Sequence, residues 1–197
     1  MLPDSGATER DGMHGFMTIL VDADGVLENL TSELTALLNE KYGTDVQFEQ
    51  MREWGFSKAF PELTYEQIFS AELEETLYDR IRPIGGAPEY LKKLIDDGNT
   101  VYVVTSTPYE AVSLKIKKVM ERFFPFLTWE NFIIASRKQM IKGDVLIDDG
   151  IHNLLGGDYR KILFDAPYNR DYDAEANGMI RVSSWEEIYK AITHMNE

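Results

Sequence analysis

The residues in this chain best suited to chemistry are oxygen acids at the ends of apolar runs. Asp22 and Asp24 stand one residue apart in ILVDADGVLENL, directly after three apolar side chains. Carboxylates at the end of a buried strand can cap the following turn through its backbone N–H groups, or they can serve a reaction. A second apolar run, VYVVTSTP, ends in Thr105, Ser106 and Thr107, and a helix opens at Pro108. The free N–H groups and positive dipole end of such a helix suit a phosphate. Ser106 or Thr107 is expected to cap it, which leaves Thr105 to face the site. A third run, in KGDVLIDDG, ends on Asp148 and Asp149. Adjacent buried carboxylates repel unless a cation neutralises them. Oxygen donors without histidine or cysteine nearby select Mg²⁺ over zinc. Asp22, Asp148 and Asp149 are therefore the expected ligands, with positions open for water and phosphate. Lys138, ten residues before Asp148, would neutralise a phosphate and an attacking carboxylate. A lone lysine is usually a surface residue; the weight lies in four such pieces in this order.

The elements that must position these residues follow from periodicity. Residues 16–21 read as a short buried strand. From 29 to 42 the pattern is helical, with Leu30, Leu34, Leu37, Leu38 and Tyr42 on one face and Gly43 as the stop. Residues 44–63 are irregular and aromatic. A second helix opens at Thr64, which forms a capping box with Gln67, and Phe69, Leu73, Leu77 and Ile81 then recur every fourth residue. Beyond RPIGG, helices and strands alternate: helix 88–97, strand 100–104, helix 108–123 with Val112, Ile116, Val119 and Phe123 inward, then strands 132–135, 145–147, 161–164 and 179–182. Ser183 with Glu186, or Ser184 with Glu187, caps a last helix carrying Trp185, Ile188 and Ile192 inward. This alternation predicts an α/β fold, a Rossmann-like parallel sheet with helices on both faces. Its ligands bind beyond the carboxyl ends of the strands, where Asp22, Thr105 and Asp148 all fall. The expected division is a flexible extension at 1–15, a core of 16–28 with 83–197, and a small helical cap at 29–82.

The order DADGV, VVTS, Lys138 and LIDD resembles the haloacid dehalogenase-like phosphohydrolase superfamily, and the position of the helical insertion resembles its C1-type cap. RPIGGAPEYLKKL, KIKKVMERFF, KGDVLIDDG, FDAPYNR and RVSSWEEI resemble, more narrowly, the 5'(3')-deoxyribonucleotidase family in its bacterial and phage-type members. The resemblance implies that Asp22 is the nucleophile, forming an aspartyl-phosphate. Asp24 would be the general acid and base, its backbone carbonyl also reaching Mg²⁺. Thr105, Ser106 and Lys138 would hold the phosphoryl group. Asp149 would be the most direct metal ligand, with Asp148 a ligand or a support beside it. Gly25 would let the chain turn into the cap. The first lysine of KIKKV, Lys115, would contact phosphate, although Lys117 or Lys118 are alternatives, as is a solvated face for all three. Trp54, with Phe56 and Phe60, lies where the family stacks the base; the alternative is the core of a small cap.

Composition sets limits on this reading. The 197 residues fit one domain with a small insertion. A net charge of −14 suits no nucleic-acid polymer, yet it leaves room for a small anion in a local pocket. No apolar run is long enough to span a membrane, and no signal-peptide pattern opens the chain. The absence of cysteine excludes disulfides and thiolate chemistry and fits a cytoplasmic setting. Met13 and Met17 are both candidate starts, and His14, His152 and His194 form no ligand spacing. The expected partner is a small-molecule nucleotide, with Mg²⁺ as cofactor and a homodimer left open. The expected activity is hydrolysis of (deoxy)ribonucleoside monophosphates. Its rivals are hydrolysis of another small phosphate ester and a phospho-acceptor, receiver-like signalling module.

Overall fold

The computed structural model describes residues 16–195, so the expected extension at 1–15, with Met13 and His14, lies outside the described residues. Six strands form one all-parallel sheet: β1 (Thr18–Val21), β2 (Thr100–Thr105), β3 (Phe132–Ile134), β4 (Val145–Asp148), β5 (Arg160–Phe164) and β6 (Met179–Val182), in the order β3-β2-β1-β4-β5-β6. Ile19 lies in register with Val101 on one side and Val145 on the other. Because the strands run parallel, the ends of β1, β2 and β4 share one edge, and Asp22, Thr105 and Asp148 meet there.

Between β1 and β2 come α1 (Leu30–Tyr42), the single turn α2 (Phe56–Ala59), α3 (Tyr65–Glu72), α4 (Glu75–Arg80) and α5 (Ala87–Asp96). Gly43 closes α1 with φ of 67°, a conformation open to glycine at little cost. The Thr64–Gln67 capping box forms as expected. The helix it opens, however, breaks at Leu73–Glu74 into α3 and α4. Apolar residues spaced by four drift about 40° per step around a helix of 3.6 residues per turn. One straight helix therefore cannot keep Phe69, Leu73, Leu77 and Ile81 on one face, and the break re-aims Leu77, Tyr78 and Ile81 into the core.

After β2 come α6 (Tyr109–Lys115), a π-helical turn at Ile116–Met120 and α7 (Glu121–Phe123). The expected inward face of Val112, Ile116, Val119 and Phe123 is corrected to Ala111, Lys115, Val119 and Met120, because the buried stripe runs through Ala111, Lys115 and Val119, four residues apart, with Lys115 drawn in by Asp24 and Glu28. α8 (Ile151–Leu154) follows β4, and α9 (Trp185–Met195) follows β6, with Glu187 N–H donating to Ser184 Oγ. One sheet face, with Ile19, Val21, Val103 and Ile147, packs against residues of α1, α5, α6 and α9. The other, with Leu20, Leu146 and Leu163, is covered by α8 and irregular segments around Tyr159 and Ala174. Both faces are covered, but the long helices share one.

Candidate active site

Asp22 continues β1 by one residue, its N–H donating to Ile147 O. Its Oδ1 accepts from Ala23 N–H at 2.7 Å and from Lys138 Nζ at 2.6 Å. Lys138 sits in a short 3₁₀ turn, 1% exposed, and its Nζ also meets Asp148 Oδ2 at 2.7 Å. A buried ammonium needs such partners. Asp148 is held by protein on both oxygens: besides Lys138 on Oδ2, Gly150 N–H and Asn153 Nδ2 both donate to its Oδ1. Asp149 accepts from the Tyr168 hydroxyl, and Asn169 Nδ2 donates to its backbone oxygen at 2.9 Å. Tyr168 and Asn169 come from FDAPYNR, and sequence reading gave that motif no role beyond the resemblance. A Cβ on Gly25 would lie 2.0 Å from Asp149 Oδ2, and φ there is 79°; only glycine fits this turn.

Asp22, Asp148 and Asp149 each offer an oxygen within 4.8 Å of the others. Three buried carboxylates face one ammonium, Lys138. Burial pushes the Asp22 carboxyl up to about 7, Lys138 opposing and Asp148 and Asp24 adding to the rise. Burial, then the charges of Asp22 and Asp148, pushes Asp149 well above the carboxylate range. This excess of hard negative donors is what a divalent cation relieves, so the residues present fit Mg²⁺.

Asp24 occupies a second cluster. Lys115 Nζ bonds its Oδ1, and Thr105 Oγ1 donates to its Oδ2 at 3.4 Å. Burial opposes ionisation of Asp24, but the Lys115 ammonium outweighs it and holds the carboxyl below its usual value. Lys115 is 3% exposed and also lies 3.4 Å from Glu28 Oε1, whereas Lys118 pairs with Glu75 and Asp79 on the surface. Burial and pairing thus single out Lys115 from the three lysines of KIKKV. Sequence reading missed Glu28, which carries no motif signal of its own.

These groups open into a cleft of about 370 Å³. Asp22, Asp24, Asp149 and Ser106 line its floor, and Leu34, Met51, Trp54, Phe56, Tyr65 and Ile68 its apolar wall. Thr105, Lys138 and Lys115 lie behind the carboxylates rather than on the cleft surface. No side chain caps α6; Thr107 instead shares a 2.7 Å hydrogen bond with Thr105 Oγ1, which corrects the expected cap by Ser106 or Thr107. Trp54 is 60% exposed at the cleft rim, its ring 4.5 Å from that of His152, while Phe60 is buried in the core. Glu72 also lines the cleft, and burial, then the Asp24 charge, lifts its carboxyl to about 7.

The parallel sheet with its carboxylates gathered at one edge has the haloacid dehalogenase-like fold. A conserved haloacid dehalogenase-like protein of Agrobacterium tumefaciens superposes with a TM-score of 0.67 at 17% identity, covering 93% of this chain and 100% of its own. A haloacid dehalogenase family hydrolase of Deinococcus radiodurans, solved with bound phosphate and sodium, gives 0.60 at 16% identity, covering 91% and 96%. The family model described as "5' nucleotidase, deoxy (Pyrimidine), cytosolic type C protein" matches residues 16–196, and the chain belongs to that family. The 5'(3')-deoxyribonucleotidases of Bacillus subtilis and Bacillus phage SPbeta are each 34% identical over 175 residues, 88% of this chain and 97% of theirs. That of Clostridium acetobutylicum is 27% identical, over 86% of this chain and 91% of its own. The protein is an enzyme of the 5'-nucleotidase and phosphatase class.

Proposed function

We propose that this enzyme is a Mg²⁺-dependent phosphomonoesterase that hydrolyses deoxyribonucleoside monophosphates through an aspartyl-phosphate on Asp22. One observation carries the reading: Asp22, Asp24 and Asp149 open together into a cleft whose opposite wall is aromatic and apolar. That is a floor for phosphate and a wall for a nucleoside. Asp22 attacks phosphorus, and the bond to the ester oxygen breaks as Asp24 gives that oxygen a proton. Asp24 then takes a proton from water, whose oxygen attacks the same phosphorus and releases phosphate from Asp22. In the free enzyme Lys115 keeps Asp24 ionised; the dianionic ester, entering beside it, favours the protonated form that the first step needs.

Asp22, Asp149 and the Asp24 backbone carbonyl would hold Mg²⁺, with Asp148 as the support that fixes Lys138. When bound, the ion supplies positive charge to the phosphoryl oxygens and to the crowded carboxylates. Lys138, behind Asp22, steadies the nucleophile and the charge on phosphate, aided by Thr105 and Ser106. Lys115, buried behind Asp24 and off the cleft surface, is assigned to holding Asp24 rather than to contacting phosphate. Trp54, at the rim, is assigned to stacking on the base.

We also assign residues 29–82 to a cap and 16–28 with 83–197 to the core. Backbone pairing of Asn29 with Arg82 and of Glu28 with Pro83 supports this division, since it holds the two connectors side by side. The cytoplasm is the setting assigned to such a nucleotide phosphatase.

The test is phosphate release from dUMP or dTMP with Mg²⁺, against a panel of sugar phosphates. Asp22→Asn is expected to lower turnover at least about 1,000-fold, as loss of a nucleophile does. Full activity in that variant, or turnover undiminished by a chelator, would refute the mechanism.

A further inference from the structure

A buried ammonium on a flexible stem stays where its partners hold it. Lys115 has two such partners, Asp24 and Glu28. Asp24 lines the cleft; neither Glu28 nor Lys115 does. Glu28 is fully buried and rigidly seated. Leu30 N–H donates to its Oε2, Gly25 N–H donates to its backbone oxygen at 2.8 Å, and it bridges to Pro83. Its Oε1 finds no hydrogen-bond partner among the described residues and points at Lys115 from 3.4 Å. Burial pushes the Glu28 carboxyl well up, and the Lys115 ammonium and Leu30 N–H oppose that rise, so Lys115 is the partner that favours its ionised form. A buried carboxylate oxygen left without a hydrogen bond costs stability, and nothing in turn formation requires it: Leu30 N–H needs only one acceptor.

We propose that Glu28 is a positioning residue of the phosphoryl-transfer site: its carboxylate fixes the Lys115 ammonium against Asp24, and so keeps the Asp24 carboxyl aimed at the leaving oxygen of the ester. Asp24 is clamped from two sides, by Lys115 on Oδ1 and Thr105 on Oδ2. Glu28 acts on the first clamp, through Lys115. The proposal rests on Asp24 being the acid of the reaction above, and the proton it delivers goes to the departing ester oxygen.

The test compares two leaving groups. An alkoxide such as the nucleoside of dUMP needs that proton; the phenolate of p-nitrophenyl phosphate leaves without it. Glu28→Gln keeps the size of the side chain and an acceptor for Leu30 N–H but replaces the ionisable carboxyl facing Lys115 with an amide. Its kcat/KM for dUMP is expected to fall about 10–100-fold, and for p-nitrophenyl phosphate less than about threefold, part of the range general acid catalysis supplies. Lys115→Met should show the same pattern, and the double variant should be no worse than Lys115→Met alone. Equal losses on both esters, or multiplied losses in the double variant, would overturn the proposal. If Glu28→Gln fails to fold, the double variant, which removes both buried ionisable groups, carries the comparison with Lys115→Met. A wild-type enzyme inactive on both esters would overturn the proposed function itself, a result distinct from either.

Discussion

Asp22 is held through one of its oxygens: both of its side-chain hydrogen bonds, from Ala23 N–H and Lys138, fall on Oδ1. That fixes the carboxyl while leaving Oδ2 for chemistry. The same residue sets a pH dependence. In the metal-free protein Asp22 keeps a proton up to about 7, above its unfolded value, and Asp149 is shifted in the same direction. A cation must displace those protons at acid pH and meets fewer of them as pH rises. The rise in Tm produced by Mg²⁺ is therefore expected to be small at pH 5.5 and to grow through neutrality. A scan of thermal unfolding with and without Mg²⁺ measures this; a Tm gain independent of pH would refute the Asp22 and Asp149 assignment. Gly25 belongs to the same scale. Its missing side chain is the space that Asp149 occupies.

Among the elements, α9 supports the catalytic turn from a distance. The Trp185 indole N–H donates to Val26 O at 2.8 Å, both residues being fully buried. Trp185→Phe keeps most of the packing but leaves that carbonyl unsatisfied, so unfolding free energy from urea titration should drop by about 1–3 kcal/mol. An unchanged midpoint would mean that the turn does not depend on α9. At this scale the sequence is legible where a pattern is local. The strands, the Thr64 capping box and the acids at the strand ends follow from periodicity and turn residues. The break at Leu73–Glu74 and the π turn do not, because each reflects packing against the rest of the fold rather than local preference. Lys115 is hard to read because the apolar pattern favours Val112 and Ile116 for the inward face, whereas Lys115 is drawn in by Asp24 and Glu28, which are distant in sequence. Tyr168 and Asn169 were hard for another, since they reach Asp149 across 19 residues and its backbone across 20, separations that leave no trace in periodicity.

For the molecule as a whole, a net charge of −14 confronts a dianionic substrate. The proposed reaction needs that substrate to approach against a repulsive field, which salt screens. At saturating Mg²⁺, kcat/KM for dUMP is expected to rise about two- to fivefold between about 10 and 150 mM NaCl. A fall would mean that a local positive field around Lys138, Lys115 and the cation dominates the encounter. The central pairing of the sheet has a separate consequence. Met17 N–H donates to Asn99 Oδ1 across 82 residues, where β1 and β2 come together, and everything between them is a detour from one strand to its neighbour. Closing a loop becomes more costly only with the logarithm of its length, by about 0.6 kcal/mol per doubling. That is less than the roughly 0.8 kcal/mol gained by burying one methylene. The irregular stretch at residues 44–63 can therefore change in length with little penalty to the sheet, while the acids after β1 and the helices that cover the sheet stay as they are.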